Sequence, residues 1–202
     1  MQEYVYRPSF SRILAVITVA ICVVGLVVVL IQDGIGDALS VLPWLLLVGG
    51  GAWAVFWYPA VQVDDGGVRL INVTRTVDLP WPSISRIDTK WALALVTSYG
   101  TYTAWAAPAP SRMSARRLSK QERGALPESS FVGKDTIRPG DAPGSPSGDV
   151  ALVVRRHWDE LRDAGYLDNP TLETDRPRVR WHVIQLVAAV LLLGLGLLAA
   201  TV

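Results

Sequence analysis

The sequence predicts an α+β membrane protein: three transmembrane helices, plus a cytoplasmic small β-barrel closed by a C-terminal amphipathic helix. Three observations predict it. Stretches 13–31, 39–58 and 183–202 contain no Asp, Glu, Lys or Arg. Between 60 and 106, apolar residues tend to recur at every second position and are interrupted by Gly, Asp and Pro. Residues 150–165 return to helical spacing, with one apolar stripe and charged residues elsewhere.

The composition fits that division. The 202-residue chain is 50% apolar and 18% charged, with a formal net charge of +1, where a soluble domain averages about 25% charged residues. Residues 59–182 hold 17 basic and 15 acidic side chains, so the body is ordinarily charged and the deficit sits in the three stretches. This excludes a purely soluble enzyme, a large polytopic transporter and disorder over most of the length.

A hydrocarbon core of about 30 Å needs about 20 helical residues, and each uncharged stretch supplies that length. The first exceeds the usual apolar run of a signal peptide, and Gln32 to Asp37 offers no small-residue cleavage site. Arg7 and Arg12 precede the first span, Asp33 and Asp37 lie in the turn after it, and Arg176, Arg178 and Arg180 precede the third. The positive-inside rule then places 1–12 and 59–182 in the cytoplasm and the C-terminus outside, in a multi-pass protein of the cell membrane. Trp57, Tyr58 and Trp181 stand where an aromatic belt belongs. Gly50 and Ala54, and Gly196 and Ala200, are small residues four apart, candidates for close helix packing. Cys22 lies in a span, where a small apolar packing role is expected.

The body begins as 59–106. Strands are expected at 60–63 and 68–73 around the turn Asp64-Asp65-Gly66-Gly67, then at 76–79, 84–90, 93–98 and 102–106. Residues 107–149 contain 6 Pro, 5 Gly and 7 Ser, which reads as a flexible insertion. Asp149 is the expected N-cap of the helix over 150–165, and Gly165 its C′ stop. Arg155, Arg156 and His157 are expected on its solvated faces, and His182 at the membrane edge beside Trp181.

The run Tyr58-Pro59-Ala60-Val61-Gln62-Val63-Asp64-Asp65-Gly66-Gly67-Val68-Arg69-Leu70, followed by Val77-Asp78-Leu79-Pro80-Trp81-Pro82-Ser83-Ile84, resembles the bacterial pleckstrin-homology-like (PH) domains of actinobacterial membrane proteins, of the low molecular weight protein antigen 6 type. That resemblance implies a structural signature of Asp65, Gly66, Pro80, Trp81 and Ile84, with Trp81 plugging the barrel end. It also implies adaptor surfaces, including an edge strand able to accept a partner strand.

No catalytic, metal-binding or phosphate-loop motif occurs, so no enzyme activity, metal, cofactor or small-molecule substrate is expected. The modest charge balance and missing motifs give no reason for nucleic acid binding. The expected function is a non-catalytic adaptor or assembly factor, embedded in the lipid bilayer and binding an unidentified protein partner. Alternatives are an accessory subunit of a larger membrane complex, or a surface module responding to anionic lipid through Arg112, Arg116, Arg117, Lys120 and Arg123.

Overall fold

A computed structural model describes residues 4–110, 139–141, 144–167 and 176–201. It divides into two compact units: Met1–Arg7, Ala60–Asn72 and Thr76–Arg180 form one, and Pro8–Pro59, Val73–Arg75 and Trp181–Val202 the other.

The first unit is built on strands. β1 (Tyr4–Tyr6), β2 (Ala60–Asp64), β3 (Gly67–Ile71), β4 (Arg75–Pro80) and β8 (Arg178–Trp181) make a five-stranded sheet in the order β1-β2-β3-β4-β8. β5 (Ile84–Asp88), β6 (Ala92–Thr97) and β7 (Gly100–Pro108) make a second, three-stranded sheet. Among the described residues the strands do not close into one hydrogen-bonded ring, where a barrel is expected from sequence. The ladder stops at the short 3₁₀ turn Trp81–Ser83, flanked and filled by Pro80 and Pro82, whose rings donate no amide hydrogen.

The two outer strands, β1 and β8, carry no long alternating pattern, and nothing in the sequence alone singles them out. The inner strands follow the period-2 pattern closely. Val61, Val63, Val68, Leu70, Val77, Leu79, Leu93 and Leu95 point inward and form the core with Trp81, Ile84 and Ile87.

Helix α3 (Pro146–Asp163) packs Val150, Ala151 and Val154 into that core. Its N-cap is Ser145, whose hydroxyl accepts from Gly148 N at 3.1 Å, four residues ahead of the expected Asp149. Asp149 instead turns back to accept from Gly144 N at 2.8 Å. The helix ends as expected: Gly165 has φ +74°, its amide donates to Arg162 O at 2.9 Å, and Tyr166 N donates to Leu161 O at 3.0 Å.

Two expectations for α3 are corrected. Arg155 and His157 are buried. Arg155 reaches Asp141 Oδ1 at 2.9 Å, and Thr89 Oγ1 donates to the same oxygen at 2.7 Å. Asp141 belongs to a 3₁₀ turn (Pro139–Asp141) inside the segment read as flexible. There Gly140 lies so close to Thr89 O that a Cβ would fall 1.7 Å from it. A lone charge pattern cannot show that a distant acid waits for Arg155, hence the miss.

The second unit is helical. α1 (Ser9–Gln32) and α2 (Ile35–Ala52) are joined by a tight turn at Gly34, which has φ +88°. α2 continues as a π-helical turn (Trp53–Trp57), and α4 (Val183–Ala199) packs on α2. Two helices, Ser9–Gln32 and Ile35–Trp57, are long and apolar enough to cross a membrane; Val183–Ala199 has 17 residues. Their large apolar side chains face outward, with Ile21 65%, Val24 62% and Ile184 86% exposed.

Candidate interaction site

The β2–β3 turn is held by its own carboxylate. Asp64 Oδ1 accepts from the amides of Gly66 at 2.8 Å and Gly67 at 3.0 Å, the hydrogen bonding of an Asx turn. The Asp64 carbonyl accepts from the Trp81 indole at 2.9 Å. One end of the sheet thereby gathers Asp65, Gly66, Pro80 and Trp81, and Ile84 follows as a buried start of β5. Trp81 is 2% exposed and meets the edge of the His157 ring with centroids 4.8 Å apart. Trp158 Nε1 donates to Ile84 O at 3.1 Å, fixing α3 over β5.

Beside this corner opens a cleft of about 610 Å³, lined by the turn, by Arg69 and Asp78, and by Arg176 and Arg178. Its two carboxylates are already engaged. Asp64 holds the turn amides. Asp78 is gripped by Arg69 Nε through Oδ1 and by Arg180 Nη2 through Oδ2 at 2.8 Å. Arg176 lies 5.5 Å over the Tyr99 ring, and neither it nor Arg178 has a carboxylate partner among the described residues. Asp64 and Asp65 set two carboxylates side by side in this turn. The structure sets part of that charge against backbone amides and adds arginines from a segment more than a hundred residues away. Their run in the sequence is visible, but it serves there only to orient a span.

One sheet edge is partly occupied by a side chain. β1 and β8 are the outer strands of the larger sheet. On β7, the Asn72 side chain donates to Thr103 O at 2.8 Å and accepts from Trp105 N at 2.8 Å, occupying two ladder positions. Burial pushes the Tyr4 and Tyr6 phenols up, Tyr6 to about 12, with the Asp149 charge adding to both.

Of the helix-packing candidates, Gly196 is buried, and a Cβ there would lie 2.7 Å from Trp44 Cε2. Gly50 is exposed with open space around it, Ala54 is half-buried and Ala200 is exposed. The neighbours Gly49 and Ala52 are the buried small residues of α2, with Gly49 facing Val19 and Cys22. Arg112, Arg116, Arg117, Lys120 and Arg123 lie outside the described residues. Among the described residues, no three His, Cys, Asp or Glu side chains gather in a way that could hold a metal ion.

Residues 58–159 match the profile of the bacterial PH domain. The chain belongs to the bacterial PH domain family. PH domains are generally non-catalytic interaction modules. In this chain the bacterial PH domain starts at Tyr58, immediately after the π-helical turn, and its match stops within α3. The match leaves out β1 and β8, and with them Arg176 and Arg178. The cleft is therefore made of bacterial PH domain residues on one wall and of residues outside the match on the other. Comparison with curated proteins and with solved structures gives no match.

Proposed function

We propose that the chain is a membrane-anchored adaptor or assembly factor, which presents its bacterial PH domain at the cytoplasmic face to a protein partner. The observation that carries this reading is the cleft: its carboxylates are internally engaged, while Arg176 and Arg178 have no acid partner among the described residues. Such a surface attracts an acidic segment of a partner. On β7 the Asn72 side chain takes two ladder positions, which disfavours strand addition at that edge.

The membrane reading rests on α1 and α2, whose outward apolar side chains suit hydrocarbon. Val183–Ala199 serves as a third span: at 1.5 Å per residue it reaches about 26 Å, near the lower limit for crossing. The charge pattern gives a cytoplasmic N-terminus, cytoplasmic 59–182 and an outside C-terminus. The domain plan follows the same order: spans at 13–31, 39–58 and 183–202, a body at 59–106, an insertion at 107–149 and a closing helix at 150–165.

In-cell photo-crosslinking from position 178 tests the reading. A reproducible protein partner, lost in Arg176→Glu/Arg178→Glu, is expected; a crosslinking pattern unchanged by that charge reversal overturns the cleft as the contact. A periplasmic-type reporter fused after Val202 is expected to be active outside the cytoplasm, and activity inside reverses the topology.

A second reading draws on the five basic residues and one acid of 111–123, a composition that gains about 1 kcal/mol per basic residue near an anionic leaflet. Replacing Arg112, Arg116, Arg117, Lys120 and Arg123 with Gln is expected to weaken binding to anionic vesicles in a salt-dependent manner. Unchanged binding removes it.

A further inference from the structure

The chain passes between the strand-built unit and the helical one after Arg7, before Ala60, after Asn72, before Thr76 and after Arg180. All these passages fall at one end of the five-stranded sheet. There Tyr6 pairs with Val61, Ala60 with Ile71, and Ile71 with Thr76. The last passage falls within β8, just ahead of His182, whose amide donates to Thr74 O at 2.9 Å. The residues flanking the passages include Arg7, Arg75 and Arg180 and no carboxylate.

Chain length ties that end of the sheet to the apolar helices. α1 begins three residues after Tyr6, β2 begins three residues after Trp57, and α4 begins two residues after Trp181. At no more than about 3.6 Å per residue, each connection is at most about 11 Å long. The headgroup region beside the hydrocarbon is of similar depth, roughly 5–8 Å on each side.

One exposed indole is fixed at this end. Of the tryptophans in the strand-built unit, Trp81 is buried and Trp158 is bonded to Ile84 O, whereas Trp91 and Trp105 are 77% and 57% exposed. Trp91 stands in the β5–β6 turn, with Lys90 over its ring. Trp105 is placed by Asn72, whose side chain donates to Thr103 O and accepts from Trp105 N, each at 2.8 Å. Asn72 is itself the residue before one of the passages. The strand that carries Trp105 also suits a surface other than water. β7 is an outer strand, yet it contains no Asp, Glu, Lys or Arg, where outer strands are commonly protected by charge. Its exposed alternate residues are Thr101, Thr103 and Trp105.

We propose that Trp105 inserts its ring into the headgroup region of the leaflet that α1 and α2 enter, seating the outer face of β7 on lipid. An indole is favoured there because its body is apolar and its N–H is polar. The arginines at the passages, with no carboxylate among them, suit an anionic leaflet. The cleft lies at the opposite end of the same strands, at Asp64, Gly67 and Pro80. Seating Trp105 on lipid therefore turns the cleft toward the cytoplasm, where a partner reaches it. This inference rests on the reading of α1 and α2 as spans.

The test uses the full chain in vesicles of phosphatidylcholine and phosphatidylglycerol, with Cys22→Ala removing the native thiol. A nitroxide is placed on Thr103→Cys, two residues from Trp105 on the same face, or on Ser98→Cys, in the β6–β7 turn. The label at 103 is expected to be more accessible to oxygen, and less to a water-soluble nickel chelate, than the label at 98. Trp105→Glu is expected to shift the label at 103 to the aqueous value. Trp105→Tyr, which keeps an amphipathic ring, is expected to leave it in lipid. Aqueous values at both positions overturn the proposal, and so does a lipid-exposed label at 103 that Trp105→Glu does not move. Extraction of the wild-type chain by alkaline carbonate overturns the spanning reading and this inference together. Carbonate resistance with an aqueous label at 103 removes this inference alone.

Discussion

The Trp81 indole donates to the Asp64 carbonyl at 2.9 Å across seventeen residues of chain. That single bond ties the β2–β3 turn to the corner where the larger sheet ends, and the cleft opens beside both. Trp81→Phe keeps most of the ring but leaves the Asp64 carbonyl without that donor, at a cost of about 1–3 kcal/mol. Trp81→Ala adds a cavity and is expected to cost about 3–5 kcal/mol. Denaturant unfolding in detergent micelles measures both, and a Phe variant as stable as wild type contradicts the role of the bond.

Asp141 joins the far end of the insertion to the core. Its Oδ1 serves both Arg155 and Thr89, and its side chain is 1% exposed. Asp141→Ala leaves a buried guanidinium without its carboxylate and is expected to destabilise by about 3–5 kcal/mol. Asp141→Leu combined with Arg155→Met removes both charges and is expected to recover most of that loss. The comparison of single and double variants in one unfolding series decides it.

His157 is 7% exposed, and neither ring nitrogen has a hydrogen-bond partner; Glu160 stands 3.6 Å from Nδ1. Replacing a buried, unsatisfied polar group with an apolar one of similar size removes a penalty while losing the edge contact to Trp81. His157→Leu is therefore expected to change stability by less than about 1 kcal/mol in either direction. A loss as large as that of Trp81→Ala would reveal a hydrogen-bonding role for the ring.

The raised phenols of Tyr4 and Tyr6 make the docking of β1 sensitive to alkali. Each folded-state value lies above the ordinary 10.0, Tyr6 at about 12. The folded state thus holds protons that the unfolded state releases, and the stabilisation is present below about pH 10 and declines as pH rises toward 12. Tyrosinate absorbance against pH should show a late-titrating component that disappears in Tyr6→Phe. Titration of every tyrosine near the ordinary value contradicts the packing of β1.

The six inner strands and the Gly165 stop were legible because they depend on local pattern: alternation for strands, and a glycine where positive φ is needed. β1 and β8 are three and four residues long, and their strand character comes from pairing with β2 and β4. Arg155 and His157 look solvated because both lie in a charged run, and only the Asp141 turn and the Trp81 ring reveal their burial. The cleft shares that cause. No local pattern shows what satisfies Asp64 and Asp78, because the atoms that do so come from the turn backbone, from β3 and from β8.

The insertion leaves and re-enters the body at nearly the same point. Ala109 N donates to Trp91 O at 2.9 Å, while Asp141 and Gly140 close on Thr89. Two anchors two residues apart make the body indifferent to how much chain runs between them, since doubling a loop costs only about 0.6 kcal/mol. By that arithmetic a longer chain between the two anchors costs the body little. For the same reason that segment is the place to graft a fluorescent protein or an affinity tag while keeping the sheets, the cleft and the helices intact.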